Sequence, residues 1–508
     1  MAVAMSMEIL VYLLSGESTT IRLEASSSVN DLRRAAERDF KKDVTALVDA
    51  EGQPLKRMVR LHDAGLGPGD MVTAVAGKAH PIICCSRLGS AFAAITAEGG
   101  VVSWGHPQAG GDSRLVQPQL AAVRELHASK AAFAALLMDG SVVTWGDPGF
   151  GGDSQAVKPL LQRVETICAS HYAFAAVTVD GSVVTWGDPL TGGDSRRVQH
   201  LLHQVQRVHA SCTAFAAVRQ DGTVVAWGNP FSCIDERAVE CLTDVEDVVP
   251  SDYAFAALRK DRTVQAWGSA AAGGDCSSVR SCLTCVKKIY RTSTAFAALR
   301  ENGMVVTWGN ELHGGDSRQV REHLVNVERI FASDYSFAAL RADRSVVTWG
   351  HPQRGGDSSH LKLHQVRDVA ATGEAFAAVF EDETVLTWGD PLSGGDSSAY
   401  KADLQGVQSV CASQAAFAAI RRDGSVVSWG DPRSGGDSSI VREQLVNVQY
   451  IQAARNAFAA IRSDGKVVTW GSPDSGGDND AVPSQLVNVF EPLLERVDTL
   501  DQGAGSSV

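Results

Sequence analysis

The sequence contains no long apolar run. No stretch of its 508 residues approaches the ~18–20 consecutive apolar residues that a membrane-spanning helix needs. The opening MAVAMSMEILVYLL has no basic region, and Glu8 interrupts it, which argues against a secretory signal peptide. We therefore expect a cytoplasmic protein without a membrane contact, with the nucleus as the alternative compartment.

The sequence also lacks any run of lysine or arginine. Its formal charge of -13 and its pI near 5.5 argue against a broad surface for nucleic acid or anionic lipid. The thirteen histidines do not cluster at the spacings of a metal site or a catalytic triad.

Cysteines do not form a disulfide framework. Ten are scattered along the chain, and Cys84 and Cys85 are adjacent, which is typical of free thiols in a reducing compartment. Cys282 and Cys285 have a metal-like spacing with Cys276 nearby, but no histidine stands at a ligand spacing. We expect no metal and no cofactor, and the role of these three cysteines stays open.

A strict internal repeat dominates the chain. All ten tryptophans, from Trp104 to Trp470, recur every 41 residues with single departures of 40 and 39, each twelve residues after a phenylalanine. Within one repeat, VETICAS, AFAAVTV and SVVTW predict three strands, and Asp180-Gly181 predicts a two-residue type I′ turn between the last two. Seven repeats have glycine at this turn, whereas Arg262, Arg344 and Glu383 replace it and should weaken the hairpin by about 1 kcal/mol each.

The recurring GGDS stretch follows the third strand. A phosphate loop would need a lysine that GGDS lacks, calcium would need more than one carboxylate per repeat, and a serine nucleophile would need a recurring base. We therefore interpret the glycines as a bend and the Asp or Ser as the cap of about two turns of amphipathic helix, as in Ser439–Leu445.

Residues 7–76 form a separate unit of two strands, a helix and two strands, in which MEILVYLLSGE and LHDAGLGPGDMVTAV resemble ubiquitin-like domains. The resemblance implies a partner-binding apolar patch at Leu14, Leu47 and Ala74. Because the segment continues into AGKAHP, conjugation through a free Gly-Gly end is not expected. The alternative is a small docking domain without a ubiquitin-pathway role.

The tandem DGSVVTWG motif resembles the regulator of chromosome condensation propeller family. Three features depart from that family: the shorter repeat, GGDS in place of a glycine-leucine-glycine stretch, and ten units rather than seven. The predicted fold is mainly β, with a ubiquitin-like β-grasp domain and ten ~41-residue β-repeats in a propeller-like ring or an open superhelical arc. The expected divisions are an extension (1–6), the ubiquitin-like domain (7–76), a linker (77–81), the repeats (82–490) and a tail (491–508).

Two residues between the first and second strands vary among repeats that are otherwise copied. These variable pairs are Lys130-Ala131, His171-Tyr172, Cys212-Thr213, Asp252-Tyr253, Ser293-Thr294, Asp334-Tyr335, Gly373-Glu374, Gln414-Ala415 and Arg455-Asn456. A tight connection in each repeat would place them on one rim, and tyrosine is favoured at interfaces. The candidate protein-binding residues are Leu14, Leu47, His171, Tyr172, Asp252, Tyr253, Asp334 and Tyr335. The alternative is that tight turns tolerate many residues and these pairs drift.

We therefore expect a non-enzymatic scaffold for protein partners, with the ubiquitin pathway as one setting. The resemblances imply two alternatives: a guanine-nucleotide exchange regulator of a small GTPase, and a non-catalytic subunit of a ubiquitin ligase. The oligomeric state and the identity of the partners do not follow from the sequence.

Overall fold

The computed structural model describes residues 6–13, 18–24, 27, 29–40, 44–49, 55, 60–62, 64–76, 83–96, 99–233 and 242–478. They fall into two compact units with the boundary between residues 82 and 83. Within these ranges, no helix is both long enough and apolar enough to cross a bilayer.

The first unit is a β-grasp sheet with one helix. Its elements are β1 (Ser6–Leu13), β2 (Ser18–Glu24), α1 (Val29–Phe40), β3 (Val44–Val48) and β4 (Met71–Ala76). The sheet order is β2-β1-β4-β3, in which β1 and β4 are parallel and the other neighbours antiparallel. Alternate residues of the strands pack against α1, so the predicted order of two strands, a helix and two strands is confirmed.

The second unit consists of ten antiparallel three-stranded sheets, each with its second strand in the centre. We number the repeats 1 to 10 by their tryptophans. The first strands are Ile83–Cys84, Val123–Ala128, Val164–Ala169, Val205–Ala210, Val245–Pro250, Val286–Arg291, Val327–Ala332, Val366–Ala371, Val407–Ala412 and Val448–Ala453. The second strands are Ala91–Ile95, Ala132–Leu137, Ala173–Thr178, Ala214–Arg219, Ala254–Arg259, Ala295–Arg300, Ser336–Arg341, Ala375–Phe380, Ala416–Arg421 and Ala457–Arg462. The third strands are Val101–Gly105, Val142–Gly146, Val183–Gly187, Val224–Gly228, Val264–Gly268, Val305–Gly309, Val346–Gly350, Val385–Gly389, Val426–Gly430 and Val467–Gly471.

Short 3-10 segments, rather than the predicted two turns of α-helix, connect the sheets. Directly after the third strands lie Pro107–Ala109, Pro148–Phe150, Pro189–Thr191, Ala270–Ala272, Glu311–His313, Pro352–Arg354, Pro391–Ser393, Pro432–Ser434 and Pro473–Ser475, with a four-residue α-helix, Pro230–Cys233, in repeat 4. After GGDS lie Gln117–Gln119, Lys158–Leu160, Gln199–Leu201, Ser277–Cys282, Arg318–His323, Ser398–Tyr400 and Ser439–Val441. The helix predicted over 439–445 is wrong beyond Val441, because the segment turns to deliver Leu445 into the core.

Each hydrophobic core forms between two repeats rather than within one. One cluster joins Ala134 and Leu136 of repeat 2 to Val164, Phe174 and Trp186 of repeat 3, and the same arrangement recurs along the chain. The AFAA strand is buried throughout because alanine lets neighbouring sheets approach on both of its faces. A single three-stranded sheet has no core of its own, so the repeats depend on stacking.

Repeat 10 packs against repeat 1. The Arg455 N–H donates to the Gly89 carbonyl at 3.3 Å, and the Cys85 thiol donates to the Ala453 carbonyl at 3.0 Å. A Cβ on Gly476 would lie 2.7 Å from the Phe92 ring, as tight as the equivalent contacts between successive repeats. The ten repeats therefore close into a ring, and the open-arc alternative does not apply.

The turn between the second and third strands differs from the predicted type I′ form. The Gly181 N–H donates to the Thr178 carbonyl, and of the two predicted turn residues Asp180 and Gly181 only Gly181 has a positive φ, at 78°. This is a type I turn followed by a left-handed residue. Arg262, Arg344 and Glu383 adopt the same conformation without glycine, at φ 63°, 62° and 65°.

The left-handed arginine at position 344 leads to a prediction about stability. We expect Arg344→Gly to raise the free energy of unfolding by about 0.5–1 kcal/mol, because glycine adopts this conformation without steric cost. Arg344→Ala is the matched control, since it removes the ion pair to Glu328 but keeps the Cβ. Urea unfolding measures both, and an equal effect of the two variants would contradict the backbone explanation.

Candidate functional site

The first glycine of GGDS packs closely against the next repeat, and we call this contact the glycine lock. It has a φ between 84° and 107°, and a Cβ there would lie 2.5–2.7 Å from the phenylalanine ring of the next repeat. In each repeat that phenylalanine stacks on the repeat's own tryptophan, with ring centroids 5.1–5.3 Å apart. In eight repeats the indole N–H also donates to the carbonyl of the preceding repeat's glycine at 2.9–3.1 Å.

The rest of GGDS shapes the same bend. A Cβ on the second glycine would lie 2.3–2.5 Å from the backbone of the glycine that ends the third strand. In eight repeats the aspartate Oδ1 accepts the N–H of the residue two positions later, at 2.8–3.0 Å. Hydrogen bonds from Arg114 and Arg196 lower the pKa of Asp112 and Asp194 to about 2. The predicted bend agrees with these contacts, whereas the predicted helix cap is wrong. The aspartate closes a short local turn, and no 3-10 segment described after GGDS has a side-chain cap hydrogen bond.

The first residues of the nine variable pairs, together with Gly89 at the equivalent position of repeat 1, form a circle that we call the inner ring. Its members are Gly89, Lys130, His171, Cys212, Asp252, Ser293, Asp334, Gly373, Gln414 and Arg455. At eight of the ten junctions the N–H of one member donates to the carbonyl of the next, at 2.9–3.3 Å. The exceptions among these described residues are Gly89, which donates to the Ser86 carbonyl, and the junction between Cys212 and Asp252. The tight connections thus bring one residue of every repeat to the centre of one face.

Polar side chains converge inside the inner ring. The Arg87 guanidinium of repeat 1 reaches across to Asp334 of repeat 7 at 2.9 Å, and the Gln414 amide nitrogen donates to the same carboxylate at 2.9 Å. Arg291 lies 3.6 Å from Asp252. We define the central cluster as Arg87, Lys130, His171, Cys212, Asp252, Arg291, Asp334, Gln414 and Arg455.

His171 and Cys212 are neighbours in this cluster, with Nε2 and Sγ 3.6 Å apart. Burial lowers the pKa of His171, and the cations Arg291, Lys130 and Arg87 lower it further against the opposing effect of Asp252. Burial also raises the pKa of the Cys212 thiol. Both groups are therefore neutral at neutral pH.

The second residues of the variable pairs contact the loops that follow the tryptophans. Tyr172 packs on Phe150 with centroids 5.1 Å apart, and Tyr335 lies between His313 and the Arg354 guanidinium. Tyr253 is different, since 47% of it is exposed. Of the predicted tyrosines, two support loops and one faces solvent.

The loops after the tryptophans lie at the same end of the sheets as the variable pairs. The residue that follows each strand-ending glycine donates its N–H to the carbonyl of the second pair residue, as Asp147 does to Ala131. We call the variable pairs and these loops together the loop face. Its large apolar tips are Leu190, Phe231, Leu312 and Leu392, which are 76%, 86%, 66% and 80% exposed.

The patch predicted on the first unit needs correction. Leu47 and Ala74 are paired across β3 and β4, and both are buried against α1, at 2% and 0% exposure. Neither side chain is available to a partner, because both lie on the face of the sheet that packs against the helix. The opposite face of a strand begins one residue away. Leu14 lies outside the described residues, and Met71, 54% exposed, lies on the open side of the sheet.

The cysteine-rich stretch does not form a metal centre in the part of the chain that the structure describes. Cys276 is buried, Cys282 half-buried and Cys285 exposed, and no group of three or more potential ligands converges within the described ranges. Those cysteines that the structure describes are free thiols.

Sequence reasoning missed Arg87, Arg291 and the apolar loop tips. Arg291 ends a first strand at a position where most repeats have alanine. This departure from the repeated sequence could have identified Arg291 as a candidate site residue. The tips also vary among repeats and could have been found by the same comparison as the variable pairs. Arg87 follows a first strand of only two residues, and its partner on repeat 7 depends on ring closure.

The chain matches no protein-family model and no curated protein. Its structure is similar to that of Prp20p from Saccharomyces cerevisiae, with 16% identity over 46% of this chain and 74% of that chain and a TM-score of 0.28. The CRINKLY WD40 ectodomain of the Arabidopsis thaliana receptor kinase ACR4 is 15% identical over 61% and 96% of the two chains, with a TM-score of 0.29. The UBL domain of Plasmodium falciparum Dsk2 is 19% identical over 14% and 100%, with a TM-score of 0.14. None of these likenesses assigns the chain to a family.

The glycine lock leads to a test within a single loop. We expect Gly151→Ala to lower the free energy of unfolding by about 2–4 kcal/mol, because the new Cβ meets the Phe174 ring at 2.5 Å and a left-handed φ disfavours alanine. Gly149→Ala is the matched control, since Gly149 is exposed and its nearest contact is the Asp147 carboxylate at 3.2 Å. Urea unfolding of both variants measures the difference, and equal costs would show that the first glycine of GGDS is not a lock.

Proposed function

We propose that the repeat unit is a protein-binding module that holds its partner on the loop face. The observation that carries this proposal is the separation of copied from varied positions. The glycines, phenylalanines and tryptophans that join the repeats recur almost unchanged, whereas the inner ring, its neighbouring tyrosines and the loop tips differ from repeat to repeat. Constant residues at the contacts between repeats, combined with variable residues on one face, are typical of repeat proteins that bind other proteins.

Exposed apolar side chains on the loop face support the same conclusion. Leu190, Phe231, Leu312 and Leu392 are each at least 66% exposed, and Tyr253 adds a half-exposed aromatic ring. Side chains of this kind are costly to leave in water and are common in protein interfaces. Ring closure supports the loops from both sides, which lowers the entropy lost when a partner binds.

The central cluster does not favour an enzyme. The Cys212–His171 pair has the residue types of a nucleophile and a base, but burial raises the pKa of the thiol and lowers that of the imidazole. A cysteine nucleophile needs a depressed pKa and access to substrate. We therefore assign this pair to the structure of the ring centre.

Serine substitution of the apolar tips tests the proposal in the full chain. We expect the variant Leu190→Ser/Phe231→Ser/Leu312→Ser/Leu392→Ser to lose most proteins that the parent chain captures from a cell extract, because the interface loses its apolar contacts. The matched control is Leu115→Ser/Leu160→Ser/Ile440→Ser/Val446→Ser, which changes exposed apolar residues outside the loop face. Equal capture by the two variants would contradict the proposal.

The captured proteins also decide between the settings that the sequence leaves open. Proteasome or ubiquitin-ligase components would support a ubiquitin-pathway adaptor. A small GTPase whose nucleotide release the chain accelerates would favour an exchange regulator.

A further inference from the structure

The central cluster has the opposite charge sign from the chain as a whole. Its charged side chains are the cations Arg87, Lys130, Arg291 and Arg455 and the carboxylates Asp252 and Asp334. The cluster therefore contains four cations and two carboxylates, with His171 neutral, in a chain whose formal charge is -13. A local excess of positive charge on an acidic protein attracts anionic groups to that place in particular.

Both carboxylates of the cluster already have cationic partners. Asp334 accepts from Arg87 and from Gln414, and Asp252 lies 3.6 Å from Arg291. No described carboxylate lies within ion-pair distance of Lys130 or Arg455. The excess positive charge therefore resides on these two side chains.

Lys130 and Arg455 stand on either side of Gly89, where the inner-ring hydrogen bonds are interrupted because Gly89 donates to Ser86 rather than to Lys130; we call this interruption the gap. They belong to repeats 2 and 10, and the residue between them in the ring is Gly89, which has no side chain. The Arg291 Nε–H, on the other side of the cluster, is buried and has no acceptor among the described residues. The cluster thus offers two unpaired cations, one on each side of the gap, to an incoming anion.

The loop face around this gap is divided into two sectors. The large apolar tips belong to repeats 3, 4, 6 and 8, whereas the equivalent positions of repeats 9, 10, 1 and 2 are Arg433, Asp474, Gln108 and Gly149. The unpaired cations lie in the polar sector, whose loops also carry Arg433 and the carboxylates Asp147, Asp431 and Asp474. A ligand that covers the face would satisfy it best by placing anionic groups at the two unpaired cations and apolar groups on the large tips.

We propose that the loop face binds an acidic polypeptide segment, with carboxylates seated at Lys130 and Arg455 and apolar side chains on the tips of repeats 3 to 8. This proposal rests on the proposed protein-binding function and specifies its partner. A polypeptide combines both kinds of group within one segment, whereas a nucleic acid would leave the leucine and phenylalanine tips uncovered and would be repelled by the remaining acidic surface.

Peptides of defined charge test the proposal with the full chain. The probes are three fluorescein-labelled peptides of equal length that combine leucine with glutamate, glutamine or lysine, and a labelled single-stranded oligonucleotide. We expect fluorescence anisotropy to show tightest binding of the glutamate–leucine peptide, with an affinity that falls as NaCl is raised because carboxylate–cation pairs are screened.

Charge reversal at the gap provides the decisive comparison. Lys130→Glu/Arg455→Glu should weaken binding of the glutamate–leucine peptide by about tenfold or more. The matched control is Lys260→Glu/Lys466→Glu, which makes the same charge change at exposed positions at the opposite end of the sheets and should leave affinity within about twofold of the parent. Equal thermal midpoints of the two variants verify that both are folded.

Three results would overturn the proposal: equal binding of the glutamate and glutamine peptides, equal effects of the two charge reversals, or tighter binding of the oligonucleotide. If any of these occurs while capture still depends on the apolar tips, the protein-binding function stands and only the acidic partner is refuted. If capture is also independent of the tips, the proposed function fails as well.

Discussion

The contact between a left-handed glycine and the phenylalanine–tryptophan pair of the next repeat is the constraint on which the ring depends. The phenylalanine ring leaves no room for a Cβ at this glycine, and in eight repeats the glycine carbonyl must also accept the indole N–H. Both requirements fix the distance and the angle between neighbouring sheets. They explain why the phenylalanine, the tryptophan and GGDS recur at a nearly constant spacing, because a shift in any one of them would separate two repeats.

The junction between repeats 4 and 5 shows what happens where the motif is missing. Repeat 4 has the short helix Pro230–Cys233 where other repeats have a 3-10 turn followed by GGDS. The indole N–H of Trp267 is then buried without an acceptor among the described residues, and the inner-ring bond between Cys212 and Asp252 is absent. Both contacts are missing at this junction, but elsewhere they vary independently. The buried Trp104 indole has no acceptor among the described residues although Arg455 bonds to Gly89, and the Trp145 indole is bonded although Gly89 does not donate to Lys130.

A few residues that recur in nearly every repeat make the contacts between neighbouring sheets. The remaining positions of the loop face can therefore carry different residues in different repeats. Asp334 and Gln414 occupy equivalent backbone positions in repeats 7 and 9 and are hydrogen-bonded, and ring closure brings Arg87 of repeat 1 to the same carboxylate. The loop face can thus combine a cationic centre with an apolar sector without any change in the packing between repeats. This separation connects the packing of the repeats to the binding role that we propose.

The features predicted correctly from the sequence are those that repeat locally. The three strands, the core positions of Phe133 and Trp145, and the bend at Gly151-Gly152 follow from periodicity and residue type. The turn at Asp180-Gly181 was assigned the wrong type because the same residues suit two hairpin geometries. Leu47 was placed in an exposed patch by the resemblance alone, whereas in this strand its side chain packs in the core with α1. Closure and the Arg87–Asp334 pair could not be predicted, since they depend on the small rotation at each junction summed over ten repeats.

Amide hydrogen exchange at Arg455 tests the closed ring most directly. Its N–H donates to the Gly89 carbonyl across the junction of repeats 10 and 1, and the Gln414 N–H makes the same bond to Arg455 within the run of repeats. A closed ring predicts comparable protection of the two amides from exchange. Fast exchange at Arg455 with continued protection at Gln414 would show that the repeats form an open arc, and the convergence of side chains at the ring centre would be refuted with it.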